Sequence, residues 1–199
     1  MQSAPSSERV HIAIFGRCNA GKSTLTNRII GQDVAIVSAI AGTTTDPVQK
    51  AIEINGLGAA IIIDTPGLDD TTQLGAERVA RSAKVLDKTD IAVILFTASD
   101  YNLELQLLEE CRVREIPTVV ALAHADTLAE CEATKAQLES VVGASVIAIS
   151  ALTGEGVEEL IKAVVAIRPR EERLITEGFC EAGDIVLLVM PQDKSAPKG

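Results

Sequence analysis

Short apolar runs alternate along the chain with longer segments in which apolar residues recur at helical spacing. The apolar runs predict six strands, at residues 10–15, 48–54, 59–63, 91–97, 118–122 and 145–149. The amphipathic segments predict five helices, at about residues 22–30, 74–86, 103–114, 128–142 and 157–167.

The order of these elements predicts an α/β fold with a doubly wound, mostly parallel six-stranded sheet, because strands alternate with helices. Asn55 and Gly56 form a turn signal between two of the runs, so we expect a hairpin whose first strand is the one antiparallel strand. In such sheets ligands bind at the carboxyl ends of the strands.

Composition agrees with this fold and excludes some functions. Hydrophobic residues make up 47% of the chain and aromatic residues 2%, which is typical of an aliphatic sheet buried on both faces. The net charge of −10 argues against broad binding to nucleic acid or to an anionic membrane surface, since both need a basic surface; a local basic patch is left open.

The cysteines and the chain termini indicate where the protein works. The four cysteines are widely spaced, with no CxxC pair, so we expect no zinc or iron–sulfur site. No signal peptide or membrane-spanning run is visible in the sequence, which predicts a cytoplasmic protein with reduced thiols.

The predicted domain organisation has three parts. Residues 1–8 form a polar leader, residues 9–168 a single domain, and residues 169–199 a linker and the start of a following domain. An apolar run near the end of the chain has no predicted partner, so we expect the sequence to be part of a longer protein.

The strongest chemical motif is GxxxxGKS at residues 16–23, between a predicted strand and a predicted helix. In this context backbone N–H groups bind phosphates. The Lys22 ammonium reaches the β and γ oxygens, and the Ser23 hydroxyl ligates Mg²⁺. The predicted nucleotide contacts in this loop are Asn19, Ala20, Gly21, Lys22, Ser23 and Thr24.

A second motif, DxxG at residues 64–67, follows a predicted buried strand. Asp64 would hold Mg²⁺ through a water, and the Gly67 N–H would reach the γ-phosphate, because glycine has no side chain in the way. A plain turn is the alternative. Between the two motifs, the threonines of loop 42–46 could complete the Mg²⁺ shell and sense the γ-phosphate.

These motifs resemble the Ras-like GTPases of the TrmE–Era group over residues 10–167. Residues 16–23, 42–47 and 193–199 are most similar to the HydF family, the GTPases of [FeFe]-hydrogenase maturation. The resemblance implies GTP and GDP as ligands, and it makes Thr44 the Mg²⁺ ligand of the switch loop. It implies that Lys22, Thr44 and Gly67 contribute to catalysis.

The resemblance also implies potassium-assisted hydrolysis. Asn19, four residues before Ser23, matches the asparagine that helps to bind K⁺ in TrmE-like enzymes. A cation beside the β–γ bridge would neutralise charge that develops in the transition state. The alternative is that Asn19 only shapes the loop.

The base-recognition motif departs from the family pattern, since Asn-Lys-x-Asp is replaced by Ala-His-Ala-Asp at residues 123–126. Asp126 can still accept hydrogen bonds from guanine N1–H and the exocyclic amine, so guanine preference should persist. The lost contacts weaken binding by ~1–3 kcal/mol. His124 either stacks on the base or is an ordinary loop residue. Ser150 and Ala151 resemble the loop whose backbone N–H binds guanine O6.

The catalytic position also departs from the pattern. Leu68 stands where Ras-like enzymes have a water-positioning Gln, and Thr72 stands near the place of the distal Glu of TrmE. Hydrolysis should therefore be slow, and no general base is assigned. The open candidates are Asp69, Asp70 and Glu77. Arg17 is predicted to be a surface charge rather than a catalytic arginine.

Together these features predict a slow GTPase that depends on Mg²⁺ and K⁺ and acts as a switch in hydrogenase maturation. Its partners would be other hydrogenase-maturation proteins and the hydrogenase, through domains outside this sequence; a homodimer is left open. One alternative is a nucleotide-sensing module with negligible turnover. Another is an Era-like RNA-associated GTPase.

Overall fold

The structure is a computed structural model that describes residues 9–31, 35–38, 48–69, 84–98 and 100–168. The chain divides into two compact units, Met1–Pro169 and Arg170–Gly199, and every described residue lies in the first. Several predictions fall outside the described residues and stay predictions: the leader, the switch loop with Thr44, most of the helix at 74–86, and the segment 169–199.

Seven strands form one sheet in the order β2-β3-β4-β1-β5-β6-β7. Among the described strands, β3 runs opposite to the others: it pairs antiparallel with β2 and with β4, and the other described pairings are parallel. The strands are β1 Val10–Gly16, β2 Ala35–Ser38, β3 Val48–Ile54, β4 Gly58–Asp64, β5 Ile91–Phe96, β6 Thr118–Leu122 and β7 Val146–Ala148.

The predicted doubly wound, mostly parallel sheet with one antiparallel strand is confirmed, and all six predicted strands are present. The β2 strand was not predicted, and it adds a seventh strand at the edge beside β3. Four residues are too short a run to give a clear strand signal.

The described helices are α1 Lys22–Ile30, α2 Asn102–Val113, α3 Cys131–Val142 and α4 Val157–Ala166, with a 3₁₀ turn at Ala125–Thr127. Three of these lie within one residue of their predicted bounds. The α3 helix begins three residues later than predicted, and a separate 3₁₀ turn that was not predicted precedes it. None of the helices in the described part of the chain is both long and apolar enough to cross a bilayer.

Apolar side chains cover both faces of the sheet and form two layers of core. On one face, Ile14 of β1 packs in a cluster with Leu25 of α1 and Leu160 of α4. On the other face, the adjacent Phe15 lies in a cluster with Leu107 of α2 and Leu138 of α3. Alternate residues of a strand point to opposite faces, so each buried strand contributes to both layers.

The register of the strands brings the predicted motifs to one edge of the sheet. Asp64 at the end of β4 pairs with Ile14 near the end of β1, and Gly16 pairs with Leu95. Leu122 at the end of β6 pairs with Ala148 at the end of β7. The loops that follow these strands therefore lie on the side of the sheet where α/β proteins bind ligands.

Candidate functional site

The loop at residues 16–23 makes a tight turn between β1 and α1. Gly16 is required by a close approach, because a Cβ built there would lie 2.9 Å from the Leu95 main-chain oxygen. Gly21 has φ 85 and Asn19 has φ 62, both left-handed, a conformation that glycine and asparagine accept most readily. The turn leads directly into the N-terminus of α1, whose backbone N–H groups favour anions.

Lys22 is held beneath this loop. Its Nζ donates to the main-chain oxygens of Gly16 at 3.0 Å and Arg17 at 2.7 Å, and its side chain is buried. Burial lowers the pKa of Lys22, against nearby groups that raise it, among them Cys18 and Asp64. A lysine ammonium has three N–H donors, so two carbonyls fix its position and one further N–H can reach a phosphate oxygen.

Ser23 and Asp64 form the candidate Mg²⁺ site. The Ser23 hydroxyl donates to Asp64 Oδ2 at 2.7 Å, while Asp64 Oδ1 is buried and has no hydrogen-bond partner. A buried carboxylate oxygen without a partner is costly, and a cation or its bound water would satisfy it. Hydroxyl and carboxylate oxygens are ligands that Mg²⁺ prefers, so the residues present fit this ion.

The turn at residues 67–69 packs directly on the phosphate loop. A Cβ built on Gly67 would lie 2.2 Å from Cys18 Sγ and 2.7 Å from Cys18 N, so only glycine fits. The Leu68 N–H donates to the Gly16 oxygen at 3.1 Å, and the Leu68 side chain is buried in the core layer that contains Phe15. Position 68 therefore presents no side chain that could orient water.

Asp69 closes the same turn. Its Oδ1 accepts a hydrogen bond from the Cys18 N–H at 2.5 Å. Partial burial alone would raise the pKa of Asp69, but hydrogen bonds from Cys18 and the charge of Arg17 hold it below its usual range. Asp69 is the candidate that the structure brings to the loop; Asp70 and Glu77 lie outside the described residues.

The prediction that Arg17 is a surface charge was wrong, because its side chain is only 18% exposed and is paired; that it is not a catalytic arginine stays a prediction. Its Nε donates to both carboxylate oxygens of Glu104, at 3.0 and 3.3 Å, and its Nη2 donates to Asp100 at 3.0 Å. Glu104 is buried in the first turn of α2. Burial raises the pKa of Glu104 although Arg17 opposes the shift. The sequence offered one signal for this pairing, namely the two acidic residues near the start of α2, Asp100 and Glu104.

The base-recognition loop contacts the phosphate loop through His124. The His124 ring lies with Nε2 2.9 Å from the Asn19 main-chain oxygen, and its backbone is left-handed with φ 61. This contact was not predicted, since His124 was expected either to stack on the base or to be an ordinary loop residue. Asp126 follows in the 3₁₀ turn with an exposed side chain, and the Ala125 N–H donates to the Ile149 oxygen at 3.0 Å.

The loop after β7 completes the site. Ser150 is fully buried, and its N–H donates to the Glu155 oxygen at 3.0 Å. Arg28 of α1 donates from Nε to the Ala151 oxygen at 3.2 Å and from Nη2 to the Leu152 oxygen. These bonds fix the loop to the helix that follows the phosphate loop.

Three loops meet at Gly21. A Cβ built there would lie 3.8 Å from the Ala151 Cβ and 4.0 Å from the His124 Cε1. The structure thus brings the described candidates to one edge of the sheet, while Thr44, Asp70 and Glu77 lie outside the described part of the chain. The described candidates at this edge are Asn19, Ala20, Gly21, Lys22, Ser23, Thr24, Asp64, Gly67, Asp126, Ser150 and Ala151.

The sheet order, the phosphate loop opening α1 and the DxxG turn packed on it define a Ras-like P-loop GTPase domain. Residues 11–124 match the family described as 50S ribosome-binding GTPase. The chain belongs to this family.

Proteins of known function agree with this class. The chain is 36% identical over 174 residues to the tRNA modification GTPase MnmE of Acidiphilium cryptum (strain JF-5), covering 86% of this chain and 35% of that protein. It is 33% identical over 162 residues to MnmE of Aquifex aeolicus (strain VF5), covering 79% and 34%. The chain therefore spans about a third of the length of these curated relatives.

Solved structures of related GTPases superpose on the fold. An Era variant from Aquifex aeolicus bound to GDP and AlF4⁻ matches with a TM-score of 0.64 and 26% identity, covering 81% of this chain and 57% of that chain. The FeoB G-domain from Methanococcus jannaschii matches with a TM-score of 0.56 and 27% identity, covering 80% and 97%. The resemblance to TrmE–Era-like GTPases is confirmed; hydrogenase maturation and potassium dependence stay predictions.

Proposed function

We propose that this chain is the switch domain of a slow GTPase in which residues 16–23 bind the phosphates and Ser23 and Asp64 hold Mg²⁺. The orphaned, buried Oδ1 of Asp64 beside the Ser23 hydroxyl is the observation that carries the proposal. Thr44 would add the third protein contact to the ion. When bound, Mg²⁺ supplies positive charge that stabilises the β and γ oxygens.

The side chains around the ion have separate tasks. Lys22, fixed by two loop carbonyls, directs its remaining N–H at the β and γ oxygens. Gly67 packs directly against Cys18 of the phosphate loop, where a Cβ would not fit. We therefore assign its N–H to the γ-phosphate. The Lys22 ammonium is held by the loop before the reaction, and preorganised groups of this kind stabilise developing charge.

Guanine recognition would be shared between two loops. The exposed Asp126 carboxylate accepts from guanine N1–H and the exocyclic amine. The Ser150 N–H is used by Glu155, so Ala151 is the residue of that pair whose N–H we assign to guanine O6. Adenine offers no matching donor pair and would leave Asp126 unpaired.

Slow turnover follows from the position of Leu68. Its side chain is part of the core and its N–H is bonded to Gly16, so it cannot orient the attacking water. Catalysis then relies on neutralisation of the charge that develops on the phosphates. Slow hydrolysis suits a switch protein, because the GTP-bound state then persists long enough for a partner to bind it.

Two measurements test the proposal. Titration of GDP and ADP should show GDP binding at least about 100-fold tighter; similar affinities would remove the role given to Asp126. Single-turnover hydrolysis of GTP should be slow but measurable and should be lost in Lys22→Ala. A rate no higher than that of Lys22→Ala would identify a nucleotide sensor without turnover.

The cellular process is a separate question. Hydrogenase maturation is favoured by the motifs at residues 16–23, 42–47 and 193–199, and tRNA modification by the similarity to MnmE. That similarity covers a third of each MnmE protein, which is the span of one domain. Deleting the gene in its native organism and measuring both hydrogenase activity and modified tRNA nucleosides separates the two roles.

An RNA-associated role has one supporting observation. Era in complex with a segment of 16S ribosomal RNA matches this chain with a TM-score of 0.62 and 26% identity. The net charge of −10 opposes RNA binding. Filter binding of ribosomal RNA across a salt series should show no salt-sensitive binding; a steep salt dependence would favour the RNA role.

A further inference from the structure

We propose that Asp69 is a specificity-determining residue that makes the site discriminate against GTP in favour of GDP, because its carboxylate opposes the γ-phosphate. The inference rests on the proposed phosphate-binding role of residues 16–23. It deepens that role by assigning the γ-phosphate-sensing group to the described part of the chain.

Three contacts hold the turn at residues 67–69 against the phosphate loop, and the first of them is made by the Asp69 carboxylate. The Asp69 Oδ1 accepts from the Cys18 N–H at 2.5 Å. The preceding Leu68 N–H donates to the Gly16 oxygen at 3.1 Å. Gly67 is in van der Waals contact with Cys18, where a Cβ would clash with both Sγ and N. Asp69 therefore belongs to a turn in which residues 68 and 69 are hydrogen-bonded to the loop and residue 67 packs against it.

The charges nearby explain why an anion is accepted at this place. Asp69 and Lys22 interact electrostatically, and the charge of Arg17 also favours the ionised carboxylate. Backbone N–H groups of such loops bind anions, and here a side-chain carboxylate takes the Cys18 N–H. The negative charge of Asp69 thus offsets part of the positive potential of Lys22, Arg17 and the Cys18 N–H, which would otherwise attract the nucleotide phosphates.

A γ-phosphate brings a second anion into this field. Of its proposed ligands, the Gly67 N–H belongs to the same turn as Asp69, and the Lys22 ammonium interacts electrostatically with the Asp69 carboxylate. Like charges a few ångströms apart repel strongly in a partly buried site. GDP ends at the β-phosphate and meets less of this repulsion. GTP must bind against it or displace Asp69 from the Cys18 N–H, which would couple the γ-phosphate to the turn at residues 67–69.

The test uses the 199-residue chain and two ligands, GDP and the non-hydrolysable guanosine 5′-(β,γ-imido)triphosphate. Asp69→Asn removes the charge while the amide oxygen can still accept from the Cys18 N–H. Asp69→Glu keeps the charge. Asp87→Asn is the control, since it removes an aspartate that pairs with Arg114 on the surface. Isothermal titration gives both dissociation constants for each protein.

We expect Asp69→Asn to tighten binding of the imido analogue about five- to tenfold and to change GDP affinity less than about twofold. Asp69→Glu and Asp87→Asn should keep the parental ratio of the two constants. An unchanged ratio in Asp69→Asn would overturn the inference, as would equal weakening of both ligands, which indicates a structural role. Unchanged affinities with slower hydrolysis would make Asp69 a water-positioning residue instead. If the parent chain binds neither ligand, the proposed function itself fails.

Discussion

The imidazole Nε2 of His124 lies 2.9 Å from the main-chain oxygen of Asn19, 105 residues earlier in the chain. The contact joins the loop that is proposed to read the base to the loop that is proposed to bind the phosphates. It requires a hydrogen on Nε2, because the acceptor is a carbonyl oxygen. His124 therefore holds the two halves of the site together from the position that a lysine takes in the family pattern.

Replacing His124 should weaken nucleotide binding, because the contact between the two loops is lost. We expect His124→Ala to weaken GDP affinity about three- to tenfold, the value of one hydrogen bond. His124→Lys, which retains an N–H donor, should stay within about twofold of the parent. The control is His11→Ala, because His11 contacts Asp90 at the other end of β1. GDP affinity that is insensitive to His124→Ala would show that the contact does not position the nucleotide.

Removal of Mg²⁺ ligands should be visible in metal titrations. At a fixed concentration of the imido analogue, Ser23→Ala and Asp64→Asn should each raise the half-saturating Mg²⁺ concentration at least about tenfold. The reason is that the Ser23 hydroxyl and the Asp64 carboxylate lie side by side, and Asp64 Oδ1 is buried without a hydrogen-bond partner. Thr134→Ala, which removes a hydroxyl bonded to Glu130 on α3, should leave the titration unchanged. Parental curves for both site variants would place the ion elsewhere.

Potassium dependence can be tested at Asn19 without straining the loop. Exchanging K⁺ for Na⁺ at equal ionic strength should slow hydrolysis at least about fivefold in the parent chain. Asn19 has φ 62 and an exposed side chain, so Asn19→Gly removes the side chain while keeping the left-handed conformation. Asn19→Gly should hydrolyse GTP at the same slow rate in either salt. A parent rate that is indifferent to K⁺ would end the potassium proposal.

The Arg17–Glu104 pair should control the stability of the domain. Arg17→Ala leaves the carboxylate of Glu104, whose side chain is 1% exposed, without its strongest partner. We expect the free energy of unfolding to fall by about 3 kcal/mol at pH 8. The Arg17→Ala/Glu104→Gln double variant should recover at least about half of that loss, since no buried charge is left unpaired.

The pH dependence of Arg17→Ala follows from the raised pKa of Glu104. A carboxyl whose folded-state pKa is raised favours the folded state at low pH, and this contribution is lost as pH rises through the raised value. The loss of stability in Arg17→Ala should therefore be smaller at pH 5 than at pH 8, as measured by urea unfolding. Arg114→Ala, which removes an exposed ion pair, should show little change. A pH-independent loss in Arg17→Ala would mean that Glu104 is already protonated or solvated.

The sequence determined the elements and their order, because these depend on local pattern. The β6 strand and the α1 helix lie at their predicted bounds, since an apolar run and an amphipathic segment each contain the information for one element. The phosphate loop was identified for the same reason, as its glycines, Lys22 and Ser23 are neighbours in the chain. The short β2 strand was not predicted, because four residues give too little of the alternating apolar pattern that indicates a strand.

The tertiary structure decided which distant side chains act on that loop. The Arg17–Glu104 pair spans 87 residues, and the Cys18–Asp69 contact spans 51. Neither is encoded in a local pattern, since each depends on strand order and on how a turn packs across the sheet edge. Sequence reasoning could name Asp69 as one of three candidates, but only the fold places its carboxylate on the phosphate loop. The partners of a charged side chain depend on which residues lie near it in the folded structure. The strands and helices depend on the pattern of neighbouring residues in the sequence.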